Sequence, residues 1–197
     1  MNILLLSPPT PDTFWSFKHV LRFVSKRAAF PPLGLLTVAA TLPDDWHLKL
    51  VDINVRRLTD RDLQWADYVL LSAMIVHKDS IAGIVDRCHS FGKPVIAGGP
   101  LFTTGHEAFP DIDHLVLGEA EELMPQLVAD MRCGTLRHMY TATRRPEITQ
   151  VPIPRWDLIN LRHYVTMSVQ FSRGCPFDCE FCDIVVMNGR VPRTKSP

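Results

Sequence analysis

The residues best placed by type and spacing to do chemistry lie near the end of the chain, in Cys175-Pro-Phe-Asp-Cys179-Glu-Phe-Cys182. Three cysteines separated by three and then two residues can direct three thiolates at one inorganic centre. Thiolates are soft ligands, suited to iron–sulfur clusters, zinc or Cu(I). A structural zinc site is almost always closed by four protein ligands, often on paired CxxC-like knuckles, and no second knuckle follows this loop. A 4Fe–4S cluster held by three cysteines keeps one iron open, and an open iron can bind a substrate. The alternatives at this point are a zinc loop completed by a distant ligand such as His163, or three free thiols.

Such a loop needs a scaffold. Ile3–Leu6, Tyr68–Leu71, Pro94–Ala97 and His114–Leu117 are short continuous apolar runs, each ending at Ser, Pro or Gly. Strands apolar on both faces are what a parallel sheet covered by helices requires. The run His47–Val51 alternates instead, as an edge strand would. Stretches with helical spacing separate the runs, at Leu33–Leu42, Asp60–Ala66, Ser80–Phe91, Thr104–Phe109 and Glu119–Met131. Five strands alternating with helices predict a flavodoxin-like, doubly wound parallel α/β domain over 1–138. In such sheets ligands sit beyond the carboxyl ends of the strands. The loops there read Ser7-Pro-Pro9, Asp52-Ile-Asn54, Ser72-Ala-Met74, Gly98-Gly-Pro100 and Gly118-Glu119.

The first connection, Ser7 to Pro32, is long enough to be read as functional. Phe14, Phe17, Val20, Leu21 and Val24 recur there at helical spacing, and Lys18, Arg22 and Lys26 fall on another face. This predicts a short amphipathic helix with a solvated basic face; a cap on a ligand or contact with a lipid surface is the sharper reading. Residues 139–160, with Arg144-Arg-Pro146 and Val151-Pro-Ile-Pro154, have the composition of an extended connector. The alternating run Val165–Phe171 predicts the first strand of a second unit, 161–197, with the cysteine loop leaving its C-terminal end. Thr194-Lys-Ser-Pro197 reads as the N-cap of a following helix.

Composition narrows the function classes. The chain has 197 residues, 46% of them hydrophobic and 21% charged, enough apolar material for a real core. Lys plus Arg equals Asp plus Glu at 21 each, which argues against a nucleic-acid or polyanion surface. No apolar run of about 18 residues or more encodes a membrane span, and the start lacks the basic n-region of a secretion signal. Five cysteines with three in one metal-type loop disfavour disulfides and point to a reducing cytoplasm. Cys88 and Cys133 read as small packed side chains.

With these residues on the page, the cysteine loop resembles that of radical S-adenosylmethionine (SAM) enzymes. The match includes the aromatic Phe181 before the last cysteine, Phe171-Ser-Arg-Gly-Cys175 ahead of the loop, and Asp183-Ile184 after it. The resemblance implies that Cys175, Cys179 and Cys182 hold a 4Fe–4S cluster whose open iron chelates SAM, with Phe181 beside the adenine. Reduction then cleaves SAM to methionine and a 5'-deoxyadenosyl radical that attacks an unactivated carbon. It also implies a TIM-type barrel, of which this chain carries only the truncated start and so would be inactive alone.

Ser72-Ala-Met74 and Gly98-Gly99 resemble the S-x-L and G-G words of cobalamin-binding domains, with Met in place of Leu. The resemblance implies that Ser72, Met74, Gly98 and Gly99 contact cobalamin, the serine and glycines lining the slot for its dimethylbenzimidazole tail. The D-x-H-x-x-G histidine that ligates cobalt from below is absent from Pro9–Phe14, as it commonly is in cobalamin-dependent radical SAM enzymes. His19 and His77 read as solvated or helix-surface histidines rather than replacements. Pro31-Pro-Leu-Gly-Leu-Leu36, Gly98-Gly-Pro100 and Gly118-Glu-Ala-Glu121 further resemble the group that includes magnesium-protoporphyrin monomethyl ester cyclase and hopanoid methylases. That implies methylation or cyclisation of a small molecule, a lipid or a tetrapyrrole, with an electron donor such as flavodoxin or ferredoxin. No general acid or base is legible. The rival expectations are a cobalamin-binding module without catalysis and a zinc-stabilised structural fragment.

Overall fold

The computed structural model describes residues 1–21 and 23–195, with the side chain of Trp15 left aside. Six parallel strands form its sheet in the order β2-β1-β3-β4-β5-β6. They are β1 (Asn2–Ser7), β2 (His47–Asp52), β3 (Tyr68–Ser72), β4 (Val95–Gly98), β5 (His114–Leu117) and β6 (Met139–Thr141). All five pairings are parallel, and the central β1–β3 pair sets Leu4 opposite Val69 and Leu6 opposite Leu71.

Side chains alternate across the sheet and feed two cores. Leu4, Leu6, Val69, Leu71, Val95 and Ala97 pack on one face with residues of α3 (Asp60–Trp65), α4 (Lys78–Ser90) and α5 (Pro100–Gly105). Ile3, Leu5, Leu70, Ile96 and Val116 pack on the other with residues of α2 (Leu33–Ala39) and α6 (Met124–Cys133). Continuous apolar runs are therefore required, because each strand is covered on both sides. The doubly wound α/β architecture and the alternating edge strand β2 stand as predicted. The sixth strand was not legible as one: only Tyr140 of Met139–Thr141 is buried, and its position depends on the open edge of β5.

The first connection departs from its helical reading. It forms one 3₁₀ turn, Phe14–Ser16, and a four-residue helix, α1 (Lys18–Leu21). Leu21 is buried, whereas Phe17, Val20, Phe23 and Val24 stay exposed, so the apolar stripe does not pack as a helix face. Arg22, part of the predicted basic face, lies outside the described residues.

The connector is not a free tether either. Arg155 donates its backbone N–H to the Leu36 carbonyl at 3.0 Å, and Trp156, Leu158 and Ile159 pack against the core beside α2. Farther on, Tyr164 is buried, forms an isolated parallel bridge with Ala28, and donates its hydroxyl to Asp52 Oδ2 at 3.0 Å.

The strand predicted over Val165–Phe171 is not formed. A minimal antiparallel pair, β7 (Ser172–Arg173) with β8 (Arg193–Thr194), takes its place, and α7 (Ile184–Asn188) lies between them. Val165 and Thr166 donate their backbone N–H groups to the Ala28 and Ala29 carbonyls at 3.1 and 3.2 Å, but this contact does not extend into a ladder along 165–171. No closed barrel is formed among the described residues. The predicted helix cap at Thr194–Pro197 falls partly outside the described residues, since Ser196 and Pro197 are among those left out; Thr194 itself belongs to β8. No described helix is long and apolar enough to cross a membrane.

Candidate functional site

On the face carrying α2 and α6, two helices cover a sheet that needs three on the other side. The gap lies over the carboxyl ends of β3, β4 and β5, and it opens as a cavity of about 380 Å³. Its floor includes Ser72, Gly98 and Gly99, with Val116 and Gly118 from the neighbouring strand end and Gly34 and Val38 of α2 on one side. That volume is in the lower range of small-molecule sites, and the walls are mostly apolar.

The glycines act within the protein as much as toward a ligand. Gly99 has φ +97°, and a Cβ on it would stand 2.8 Å from Ser72 Oγ and 3.1 Å from the Ala73 carbonyl oxygen. A side chain there would be strained and would displace the serine. At Gly98 a Cβ would meet the Val116 carbonyl oxygen at 3.0 Å, so the bare backbone lets β4 and β5 close up. The Gly118 turn that follows is pinned by its own N–H, which donates to Thr103 Oγ1 at 3.0 Å.

Met74 does not share this place. It is 52% exposed and outside the cavity lining, so its backbone rather than its side chain is what the local structure uses. The Met74 N–H donates to His77 Nδ1 at 3.1 Å, closing the turn into α4. His77 is consequently buried rather than solvated, and burial lowers its pKa. The solvated reading of His77 is thus corrected: it is a turn-capping neutral imidazole whose Nδ1 is occupied. His19 is exposed, as expected, 3.6 Å from Asp12. The loop after β1 is held by Asn54, whose side chain accepts from the Thr10 N–H at 2.7 Å and donates to the Pro8 carbonyl at 3.1 Å.

The fourth wall of the cavity comes from far along the chain. Gln170, Arg173, Ile184, Met187 and Asn188 line it, and these residues flank the cysteine loop on both sides. Gly174 starts that loop at φ +92°, with its missing Cβ only 2.5 Å from the Val191 carbonyl oxygen. The Cys175 N–H donates to the Gly189 carbonyl at 3.0 Å, and the Cys182 N–H to the Cys179 carbonyl at 3.0 Å. Cys175 and Cys182 are half-buried and Cys179 is exposed. Among the described residues no set of three or more His, Cys, Asp or Glu side chains is gathered to hold a metal ion. Phe181 is 92% exposed and lies apart from the cavity lining. The donor chemistry nonetheless fits a cluster: three thiols on one short loop, with their backbone entering through a glycine that only this turn requires.

Four charged residues that sequence reasoning did not assign a role join the cysteine segment to the α/β domain. Arg173 Nη1 donates to Glu119 Oε2 at 2.6 Å, and its Nη2 donates to Glu121 Oε1 at 2.5 Å. Arg193 donates through both terminal nitrogens to the two oxygens of Glu119 and through Nη1 to the Pro146 carbonyl at 2.7 Å. Burial raises the Glu119 carboxyl, but the hydrogen bonds from Arg193 and Arg173 outweigh it and leave the pKa below the usual carboxylate value. The signal available in the sequence was the word Gly118-Glu-Ala-Glu121, which marked a resemblance without saying what it touches.

Comparison with known proteins now bears on this geometry. A family model described as the B12 binding domain matches residues 23–128, more than half of the chain and the part that builds the cavity floor. The chain belongs to the B12-binding domain family. As a B12-binding domain it is 45% identical, over all of its length, to an uncharacterized methyltransferase of Synechocystis sp., and spans 37% of that relative. It is 38% identical over all of its length to the hopanoid C-2 methylase of Rhodopseudomonas palustris, spanning 38% of it. Over 92% of the chain it is 29% identical to the anaerobic magnesium-protoporphyrin IX monomethyl ester cyclase of Synechocystis sp., spanning 42% of that protein. The B12-binding chain thus covers about two fifths of the length of these relatives, which are the methylase and cyclase group that its sequence words resemble.

Proposed function

We propose that this chain is the cobalamin-binding and cluster-bearing part of a radical SAM enzyme that modifies an unactivated carbon of a small apolar molecule, a lipid or a tetrapyrrole, by methylation or cyclisation. One observation carries the reading: a single cavity is walled by the B12-type residues Ser72, Gly98 and Gly99 and by residues flanking the three cysteines. In this reading the cavity receives the dimethylbenzimidazole tail, and Cys175, Cys179 and Cys182 hold a 4Fe–4S cluster that leaves one iron for SAM. When bound, the cluster would supply the electron that cleaves SAM, and cobalamin would carry a methyl group.

The residues of the chain have definable tasks. Ser72 lines the cavity, and the missing side chain of Gly99 leaves room for its Oγ, which would lie 2.8 Å from a Cβ there. Pro9–Phe14 carries no histidine that would ligate cobalt, and His77 Nδ1 accepts from the Met74 N–H. Phe181, exposed on the cysteine loop, is free to lie against the adenine of SAM. An electron donor such as flavodoxin or ferredoxin, and a cytoplasmic location, complete the proposal.

The test is anaerobic reconstitution of the chain with iron and sulfide, with EPR of the reduced state recorded with and without SAM, and gel filtration with cobalamin. The reading expects a 4Fe–4S signal that shifts on adding SAM, and cobalamin that co-elutes. Zinc in place of iron and acid-labile sulfide in oxygen-protected material would sink it. A second reading, a cobalamin-binding module without SAM chemistry, is favoured by the ungathered thiols; co-eluting cobalamin with an EPR signal indifferent to SAM would select it.

A further inference from the structure

The geometry points to Glu119 and Glu121, acting through Arg173 and Arg193, as positioning residues that dock the cysteine segment on the B12-type domain and set the stem of the cysteine loop. The inference rests on the proposed function only for what the loop carries. The docking itself is a matter of this chain's own contacts.

The stem of the loop is the two-residue pairing of β7 with β8, too short to hold itself in place. Each strand supplies one arginine, and both guanidinium groups turn onto the loop that follows β5. Arg173 makes a fork on Glu121 while also reaching Glu119; Arg193 makes a fork on Glu119. Two carboxylates therefore balance two guanidinium groups, and their side chains are only 6–16% exposed. Asn188, from the end of α7, donates to Glu119 Oε1 at 3.4 Å, while its carbonyl accepts from Arg193 at 3.2 Å.

Arg173 is two residues before Cys175, with Gly174 between them. Gly174 is wedged against the Val191 and Gly189 carbonyl oxygens, so a shift of Arg173 is passed directly to the first thiol. Gly118, on the other side of the latch, is fixed at φ +93° with its N–H on Thr103. Glu119 thus stands on a rigid strand end, and the stem is referenced to the cavity that the same contact closes. Bidentate pairs between buried groups are the strong kind of ion pair, and removing one side of such a pair leaves the other charge buried and unmatched.

Hydrogen–deuterium exchange on the whole chain without cofactors tests the docking, comparing the native protein with Glu119→Gln combined with Glu121→Gln, and with Arg173→Lys. The expected result is protected peptides across 172–195 in the native chain, and exchange there faster by on the order of a hundredfold in the double variant. Arg173→Lys, which keeps the charge but loses the fork, should lie between them. Peptides of β1, β3 and β4 should exchange as in the native chain, showing that the variants are folded.

The second arm is the EPR spectrum after reconstitution with iron and sulfide, where the variants keep all three cysteines. A spectrum altered or made heterogeneous in the variants supports the inference. Exchange at 172–195 that is unprotected in the native chain, or unchanged by the variants, overturns it. So does faster exchange accompanied by an identical cluster spectrum. A native chain that takes up no cluster, yet loses protection in the variant, sinks the proposed function while upholding the docking.

Discussion

Single residues carry several expectations that follow from their surroundings. Gly174→Ala would place a methyl group 2.5 Å from the Val191 carbonyl oxygen on a backbone at φ +92°. It should loosen the cysteine stem, visible as protease cleavage within 172–195 while the sheet stays intact, because that approach has no room to relax against a backbone atom. Gly99→Ala should instead weaken cobalamin retention by displacing Ser72, read as earlier loss of the corrin absorbance on gel filtration. Asp62 is a purely structural case. Burial would raise its carboxyl, but hydrogen bonds from Arg56 and Thr59 outweigh this and hold it far below the usual carboxylate range. A depressed carboxyl pKa stabilises the fold fully above the unfolded value of about 4 and loses that contribution as pH falls through the folded value. Asp62→Asn should therefore lower stability by roughly 2–3 kcal/mol at neutral pH and remove part of the acid dependence in urea melts.

At the scale of elements, the sheet and the trailing segment depend on each other. β6 supplies the buried Tyr140, whose hydroxyl donates to Asp130 Oδ2 of α6 at 2.7 Å. Ending the chain at Gly134 would uncover the β5 edge and the inner face of α6, and such a product should aggregate on gel filtration where a chain ending at Asn160 stays monodisperse. The strap after the connector is fastened at Tyr164. Burial pushes its hydroxyl pKa upward, and it donates to Asp52, whose own pKa is raised by burial. A raised carboxyl pKa means that the native state binds the proton more tightly than the unfolded chain. Its stabilising contribution is full below the unfolded value and fades as pH rises through the folded one. Tyr164→Phe, leaving the Asp52 carboxylate with one partner fewer, should cost about 1–2 kcal/mol in denaturant melts near neutral pH.

For the whole molecule, the placement of one cavity between a B12-type sheet and a cysteine-bearing segment makes the two parts thermodynamically linked, since anything bound in the cavity touches both. The sheet, its edge strand and the two-sided covering were legible because continuous apolar runs such as Ile3–Leu6 admit few other environments. The cysteine spacing marked a candidate metal loop, and among the described residues the structure does not gather its thiols into one site. The Val165–Phe171 strand was misread because alternation states which residues would share a face, not whether a neighbouring strand exists to pair with. The exposed Phe17, Val20 and Val24 show the same limit: periodicity cannot say whether a partner surface is there to cover them.

Local sequence by itself determined the repeating α/β pattern, because apolar run length and turn residues act over a few positions. Only the tertiary structure decided that Glu119 and Glu121 meet Arg173 and Arg193, that a side chain at Gly99 would crowd Ser72, and that His77 is an internal cap. Those contacts join residues from separate stretches or depend on backbone angles, and a carboxylate or a glycine reads the same in a string whether it faces water or a buried guanidinium.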